Sequence, residues 1–209
     1  MTHRGCSTGG SAPGKPSGSL SSSYEGSVGT VARTKGDIGG ASYGKYQFTT
    51  NSGSAKGFVS SLKNTDPAAY KKLAAHPVGS FGFDAAWKQV AASNKNFGKY
   101  QEDYARNQYY APAAKSVLTK TGLDVNKRSV AVQEAIWSTA VQHGSGSVAK
   151  IVKAAGITPA MNDTEILKRL YAERGANGGA KYFKSSPKNI QVSVANRFKS
   201  ELKDALKLV

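Results

Sequence analysis

Apolar residues recur at three- and four-residue steps through most of the chain, the period of a helix that buries one face. Phe58 and Leu62, then Ala68 and Leu73, predict two short helices, the second opened by Asp66 as cap and Pro67 in its first turn. Trp87 and Val90 share a face of a helix over 83–92. Phe97, Tyr100, Tyr104, Gln108 and Ala111 mark a long helix over 97–118, interrupted near Pro112 because proline lacks the N–H that a helix interior needs. From Arg128 to His143 nearly every position is apolar or small, broken only by Gln133 and Glu134. A helix without a polar face belongs in the middle of a bundle. Gly144 and Gly146 stop it, and a short helix follows from Val148 to Ala155. Asp163 and Thr164 lead into Ile166, Leu167 and Leu170, and the stripe Val194, Phe198, Leu202, Ala205 and Leu206 makes a last helix over 190–208.

The front of the chain has a different pattern. Residues 1–23 hold seven serines, five glycines and one large aliphatic residue, Leu20, so they read as a flexible leader. From Tyr24 to Asn51 the chain is rich in Gly, Ser and Thr, with Tyr43, Tyr46 and Phe48 spaced along it, which suits short strands and turns beside a cleft. The expected fold is mainly α: a helical bundle around a central buried helix, with a small irregular or β-hairpin segment near the front. The expected organisation is a leader over 1–23 and one domain over 24–209, within the size that a single core supports.

Composition narrows the partners. Twenty-nine Lys and Arg against 13 Asp and Glu leave a formal charge of +16, so a polyanion is the expected target: nucleic acid, anionic lipid or the polymers of a bacterial wall. The single cysteine, Cys6, forms no internal disulfide. No stretch reaches the ~20 apolar residues of a membrane span, and the first residues lack the apolar core of a signal peptide. Histidines at 3, 76 and 143 give no metal-ligand spacing, so no metal or cofactor is expected.

With few carboxylates, each can be sorted by context. Glu102, Asp103, Glu165, Glu201 and Asp204 read as solvated helix faces, Asp66 and Asp163 as caps, and Asp124 as a turn residue. Glu25, between Tyr24 and Gly26, and Asp37, inside Gly36-Asp37-Ile38-Gly39-Gly40, stand apart. By itself Glu25 is as compatible with a surface position, and Asp37 with a plain turn. As a pair they match the needs of glycosidic bond cleavage, in which one carboxyl protonates the leaving oxygen and a second activates water or shields the oxocarbenium charge.

The order Glu25, Gly36-Asp37, then Tyr43-Gly44-Lys45-Tyr46-Gln47 resembles the front of the goose-type lysozyme and lytic transglycosylase families. In those families a catalytic Glu ending a helix precedes a Gly-rich hairpin and a Gly-Leu-Met-Gln-like motif. Gly44 and Gln47 match the ends of that motif, and Lys45 and Tyr46 depart from its middle. The resemblance implies a lysozyme-like α+β fold, Glu25 as general acid, Asp37 as the water-positioning carboxylate, and Tyr43, Tyr46 and Gln47 at the cleft wall. The segment Ala135 to Gly144 resembles the core helix that runs to the cleft in phage and effector members, which brings Gln142 and His143 to the substrate. A helix-terminal His also serves as a plain cap. Tyr109 and Tyr110 resemble cleft-lining aromatics, with core packing the other reading.

The implied activity is a muramidase, a hydrolase of bacterial peptidoglycan acting as a monomer. Its delivery would be by cell lysis, a phage particle or a dedicated secretion route. A lytic transglycosylase using Glu25 alone is the close alternative. A basic nucleic-acid-binding module is the distant one, with Lys95 to Tyr100 interleaving cations and aromatics. Chitosanase shares the two-carboxylate logic, but its cationic polymer suits a +16 protein poorly.

Overall fold

The computed structural model describes Pro16, Gly18, Leu20, residues 26–33 and residues 40–209. Three two-residue strands, β1 (Val31–Ala32), β2 (Ser42–Tyr43) and β3 (Phe48–Thr49), form an antiparallel sheet in that order, with Tyr43 opposite both Val31 and Phe48. Helices follow: α1 (Ser54–Thr65), α2 (Pro67–Ala74), α3 (Phe81–Ser93), α4 (Phe97–Ala105), α5 (Ala111–Thr121), α6 (Val130–His143), α7 (Val148–Ala154), α8 (Asp163–Arg174) and α9 (Lys188–Ala205). The mainly helical reading with a small front sheet matches this architecture, and α6 is its buried axis: every residue from Ala131 to Ala140 is buried.

Local chemistry explains most boundaries. Asp66 accepts from the Ala69 N–H and caps α2, as its position before Pro67 predicts. At α8 the cap is Asn162, which accepts from the Glu165 N–H; Asp163 instead pairs with Arg128 and accepts from the Ser129 N–H. The expected cap at Asp163 was off by one residue, because Asn and Asp serve that position equally well.

The expected break near Pro112 is a change of winding. Residues Arg106–Tyr110 form a π-helical turn that joins α4 to α5 without a gap. Proline supplies no N–H and its ring crowds the carbonyl four residues back, so the α register is relieved ahead of it by widening one turn. This turn carries Tyr109 and Tyr110.

An aromatic cluster of Tyr43, Phe48, Phe58, Phe83, Trp87 and Phe97 joins the sheet to α1, α3 and α4. Two further expectations are corrected. Pro16, Gly18 and Leu20, placed in the leader by composition, are buried. Glu201, read as a solvated acid, is fully buried. In both cases partners remote in sequence, described below, make the burial possible.

Candidate active-site cleft

The turn between β2 and β3 is held in a conformation that few sequences allow. Gly44 has φ +73°, and a Cβ there would fall 2.3 Å from Gln101 Oε1 and 2.9 Å from Trp87 Cζ2. Gln47, at φ +48°, occupies the left-handed region without being glycine, and its amide donates to the Gly44 carbonyl at 3.0 Å. Such strain persists where surrounding contacts enforce it. Here Gln101, fully buried on α4, accepts from the Lys45 N–H and donates to the Val28 carbonyl, which also accepts from the Trp87 indole. The turn and the segment after Gly26 are thereby tied to one glutamine.

Beside this turn lies a polar cavity of about 500 Å³. Tyr46 and Gln47 line it from the turn, Tyr109 from the π turn, Gln142 from the end of α6 and Arg197 from α9, with hydroxyls of Thr49, Ser52 and Ser54 along one side. Four residues singled out in the sequence, Tyr46, Gln47, Tyr109 and Gln142, therefore share one cleft. Tyr46 stacks on Trp137 at 6.0 Å between ring centroids, and Tyr110 stacks on the same indole at 5.7 Å.

Three expected wall residues lie elsewhere. Tyr43 is fully buried behind the turn, edge-on to Phe83, and its hydroxyl donates to Asp84 at 2.6 Å. Burial and that bond push its phenol well above the usual tyrosine range. Asp84 also pairs with Arg33 at 2.8 Å. Partial burial opposes its ionisation, yet the bonds from Arg33 and Tyr43 and the Arg33 charge hold its carboxyl below the usual range. His143 packs among Tyr182, Phe183 and Phe198 and is absent from the cleft lining. Burial, reinforced by the Arg174 charge, lowers its pKa to about 4, so it is neutral at pH 7. Tyr110 is a core residue whose hydroxyl bonds Asn126 and Gln133.

Glu25 and Asp37 lie outside the described residues. The nearest described residues before and after Glu25, Leu20 and Gly26, both have defined contacts. Upstream, the N–H groups of Gly18 and Leu20 donate to the two carboxylate oxygens of fully buried Glu134, at 2.8 and 3.1 Å. Downstream, Gly26, bonded directly to Glu25, abuts the cleft: a Cβ on it would lie 3.0 Å from Gln47 Nε2.

Sequence reasoning missed the polar groups that support this cleft. Glu201 accepts from Ser138 at 2.7 Å, Tyr171 at 3.2 Å, Arg174 at 3.3 Å and Arg197 at 2.7 Å. Arg174, also fully buried, donates to Ser138 and, at 3.0 Å, to Gln142 Oε1. The network thus holds two cleft residues, Gln142 and Arg197, from behind. Of the buried charges only Glu134, inside the most apolar helix, stood out in the sequence, since a charge survives there only when partnered; no local pattern marked Arg174 or Glu201. Among the described residues no group of three His, Cys, Asp or Glu could hold a metal ion. No helix there is long and apolar enough to cross a membrane.

The sequence model of the family described as type VI secretion system spike protein VgrG3-like, C-terminal, matches residues 14–202. The chain belongs to that family. It is similar to the type VI secretion system spike protein VgrG3 of Vibrio cholerae serotype O1, at 29% identity over 139 residues, covering 62% of this chain. The matched stretch is 12% of that relative's length. Among solved structures the chain is similar to a chitosanase of Bacillus subtilis MY002, with TM-score 0.63 and 22% identity, covering 91% of this chain and 85% of the other. It is also similar to the Gynuella sunshinyii GH46 chitosanase in complex with chitotetraose, with TM-score 0.62 and 18% identity over 90% and 85% of the two chains. The fold is therefore that of the chitosanases, in keeping with the lysozyme-like expectation.

Proposed function

We propose that this family member cleaves bacterial peptidoglycan at the β-1,4 bond between N-acetylmuramic acid and N-acetylglucosamine, with Glu25 as general acid and Asp37 positioning the attacking water. The observation that carries the reading is the polar cleft of Tyr46, Gln47, Tyr109 and Gln142, against whose edge Gly26 is packed. Amide and hydroxyl groups suit the hydroxyls and acetamido groups of a sugar chain, while Tyr46 and Tyr109 offer ring surface to pyranose faces.

In the proposed reaction the Glu25 carboxyl donates its proton to the bridging oxygen as the C1–O bond breaks. Asp37 accepts a proton from water as it attacks C1 from the opposite face, so the anomeric configuration inverts. Gln47, bonded to the turn, and Gln142, bonded to Arg174, hold the sugar at fixed amides. The net charge of +16 favours encounter with an anionic wall. Membership of a spike-protein family supports delivery by a type VI secretion apparatus in place of cell lysis.

The chitosanase fold supports a second reading, hydrolysis of a glucosamine polymer. Its ammonium groups would meet a protein of strong positive charge, which disfavours that reading. The test is Glu25→Gln on purified walls. Loss of wall clearing is expected, and clearing at the wild-type rate refutes the assignment. Asp37→Asn with mass spectrometry of the products separates the chemistries. Reducing ends and a large loss of rate support the hydrolase, whereas 1,6-anhydro products with little loss assign a lytic transglycosylase working through Glu25 alone.

A further inference from the structure

We infer that the crevice between α1 and α4 is a distal glycan subsite, holding the sugar strand about one disaccharide beyond the cleft; the inference rests on the reading of that cleft as the glycan site. The crevice is a separate cavity of about 230 Å³. Tyr100 and Tyr104 line it from α4, Asn107 and Gln108 from the π turn, and Ser61 and Thr65 from α1.

Cleft and crevice adjoin along two elements. On α1, Ser54 lines the cleft, and Ser61, two turns further along the same face, lines the crevice. Their separation along the helix is about 10 Å, the length of one disaccharide repeat in an extended β-1,4 strand. On the π turn, Gln108 lines the crevice and the next residue, Tyr109, lines the cleft. Tyr104 lies between the two: burial, and after it the proximity of Tyr109, push its phenol above the usual tyrosine range. Its ring packs edge-on against Phe48 and Phe58, at 5.4 and 5.7 Å between centroids. Gly57 makes room for it, since a Cβ there would overlap the Tyr104 hydroxyl. Glycine weakens a helix interior, and at this position it lets the tyrosine reach across α1.

The lining has the chemistry of a site for a neutral saccharide. Asn107 and Gln108 are exposed, and neither side-chain amide has a partner among the described residues. Each amide offers both donors and an acceptor to sugar hydroxyls and acetamido groups, and two tyrosines one helical turn apart offer ring surface to pyranose faces. Among the described lining residues Asp103 is the charged one, and it pairs with Lys99 at 2.9 Å. With no lysine or arginine among those residues, the crevice has no cation for the carboxylates of a stem peptide, and the uncharged sugar backbone is the part of the wall polymer that suits it.

The experiment measures kcat/KM on peptide-free wall strands of two lengths, a tetrasaccharide and an octasaccharide, for wild type, N107A/Q108A and S61M. The first variant removes both amides, and the second fills the crevice from an exposed position on α1. Wild type is expected to prefer the octasaccharide, which can span cleft and crevice together. In N107A/Q108A the ratio of kcat/KM between the two lengths is expected to fall about tenfold, mainly through KM, the effect of losing two hydrogen bonds. S61M is expected to lower the same ratio by blocking the groove. An unchanged ratio in both variants, or a wild type indifferent to length, overturns the proposal.

Isothermal titration of E25Q and E25Q/N107A/Q108A with the octasaccharide reads the same contact without any cleavage, and the triple variant is expected to bind about tenfold more weakly. Free stem peptide is titrated alongside. If the crevice substitutions weaken peptide binding and leave octasaccharide binding unchanged, the crevice takes peptide and the proposal fails. If wild type cuts no strand while the substitutions still weaken octasaccharide binding, the glycosidase reading fails and the distal subsite stands. If strands are cut and neither the length preference nor binding responds to the substitutions, the reverse holds.

Discussion

The Glu134 carboxylate is the point at which the front of the chain is fastened to the central helix, and replacing it by Gln tests that role. Its two oxygens take separate backbone donors, Gly18 at 2.8 Å and Leu20 at 3.1 Å, in a fully buried setting. Gln keeps one acceptor and turns the other into an NH2 group that faces an N–H. Hydrogen bonds to charged groups contribute about 1.5–3 kcal/mol each, and a donor left without an acceptor adds its desolvation cost, so E134Q is expected to lose about 2–4 kcal/mol. For a domain of this size each kcal/mol lowers Tm by about 2–4 °C, giving a fall of about 4–16 °C. Circular dichroism melts measure it. Wall clearing below the variant's Tm is expected to fall by more than the unfolded fraction accounts for, since residues 21–25 follow directly on the fastened segment. Melting and clearing rates indistinguishable from wild type would refute the argument, because they would mean that neither backbone bond matters to the fold or to the site.

Gly44→Ala places a methyl group against Gln101 and Trp87 at φ +73°, and the expected cost, from left-handed strain and overpacking together, is about 2–4 kcal/mol in chemical denaturation. A variant as stable as wild type would show that the turn relaxes freely. His143 gives a pH dependence of defined sign. Its folded pKa of about 4 lies below the unfolded value of about 6.5, so the unfolded chain binds more protons between these values. Its contribution is complete above pH 6.5 and is lost as pH falls toward 4. His143→Phe, which keeps a ring among Tyr182, Phe183 and Phe198, is expected to flatten wild type's loss between pH 7 and pH 4.5 by about 2 kcal/mol. Parallel stability curves for the two proteins would show that burial does not govern this imidazole.

The sequence by itself determined the elements and their broad arrangement. Apolar spacing located α1, α3, α6 and α9 because a helix that buries one face must repeat near 3.6 residues, and α6 was recognisable as central because it has no polar face. The resemblance to the goose-type lysozyme and lytic transglycosylase families also brought out Tyr46, Gln47, Tyr109 and Gln142, which the fold gathers in one cleft. Tyr43 was misplaced because a tyrosine beside a glycine turn reads the same whether it faces solvent or core; Asp84, distant in sequence, is what allows its hydroxyl to be buried. Glu201 looked like a solvated acid because local pattern reports the face of a helix and not what packs on it. Only the tertiary structure decided that Arg174, Ser138 and Tyr171 converge on it from other helices, offsetting the cost of burying its charge. The same holds for Glu134, whose backbone donors at Gly18 and Leu20 lie 116 and 114 residues away. Short-range periodicity fixes secondary structure, whereas a buried charge is tolerated only through long-range pairing that no local window contains.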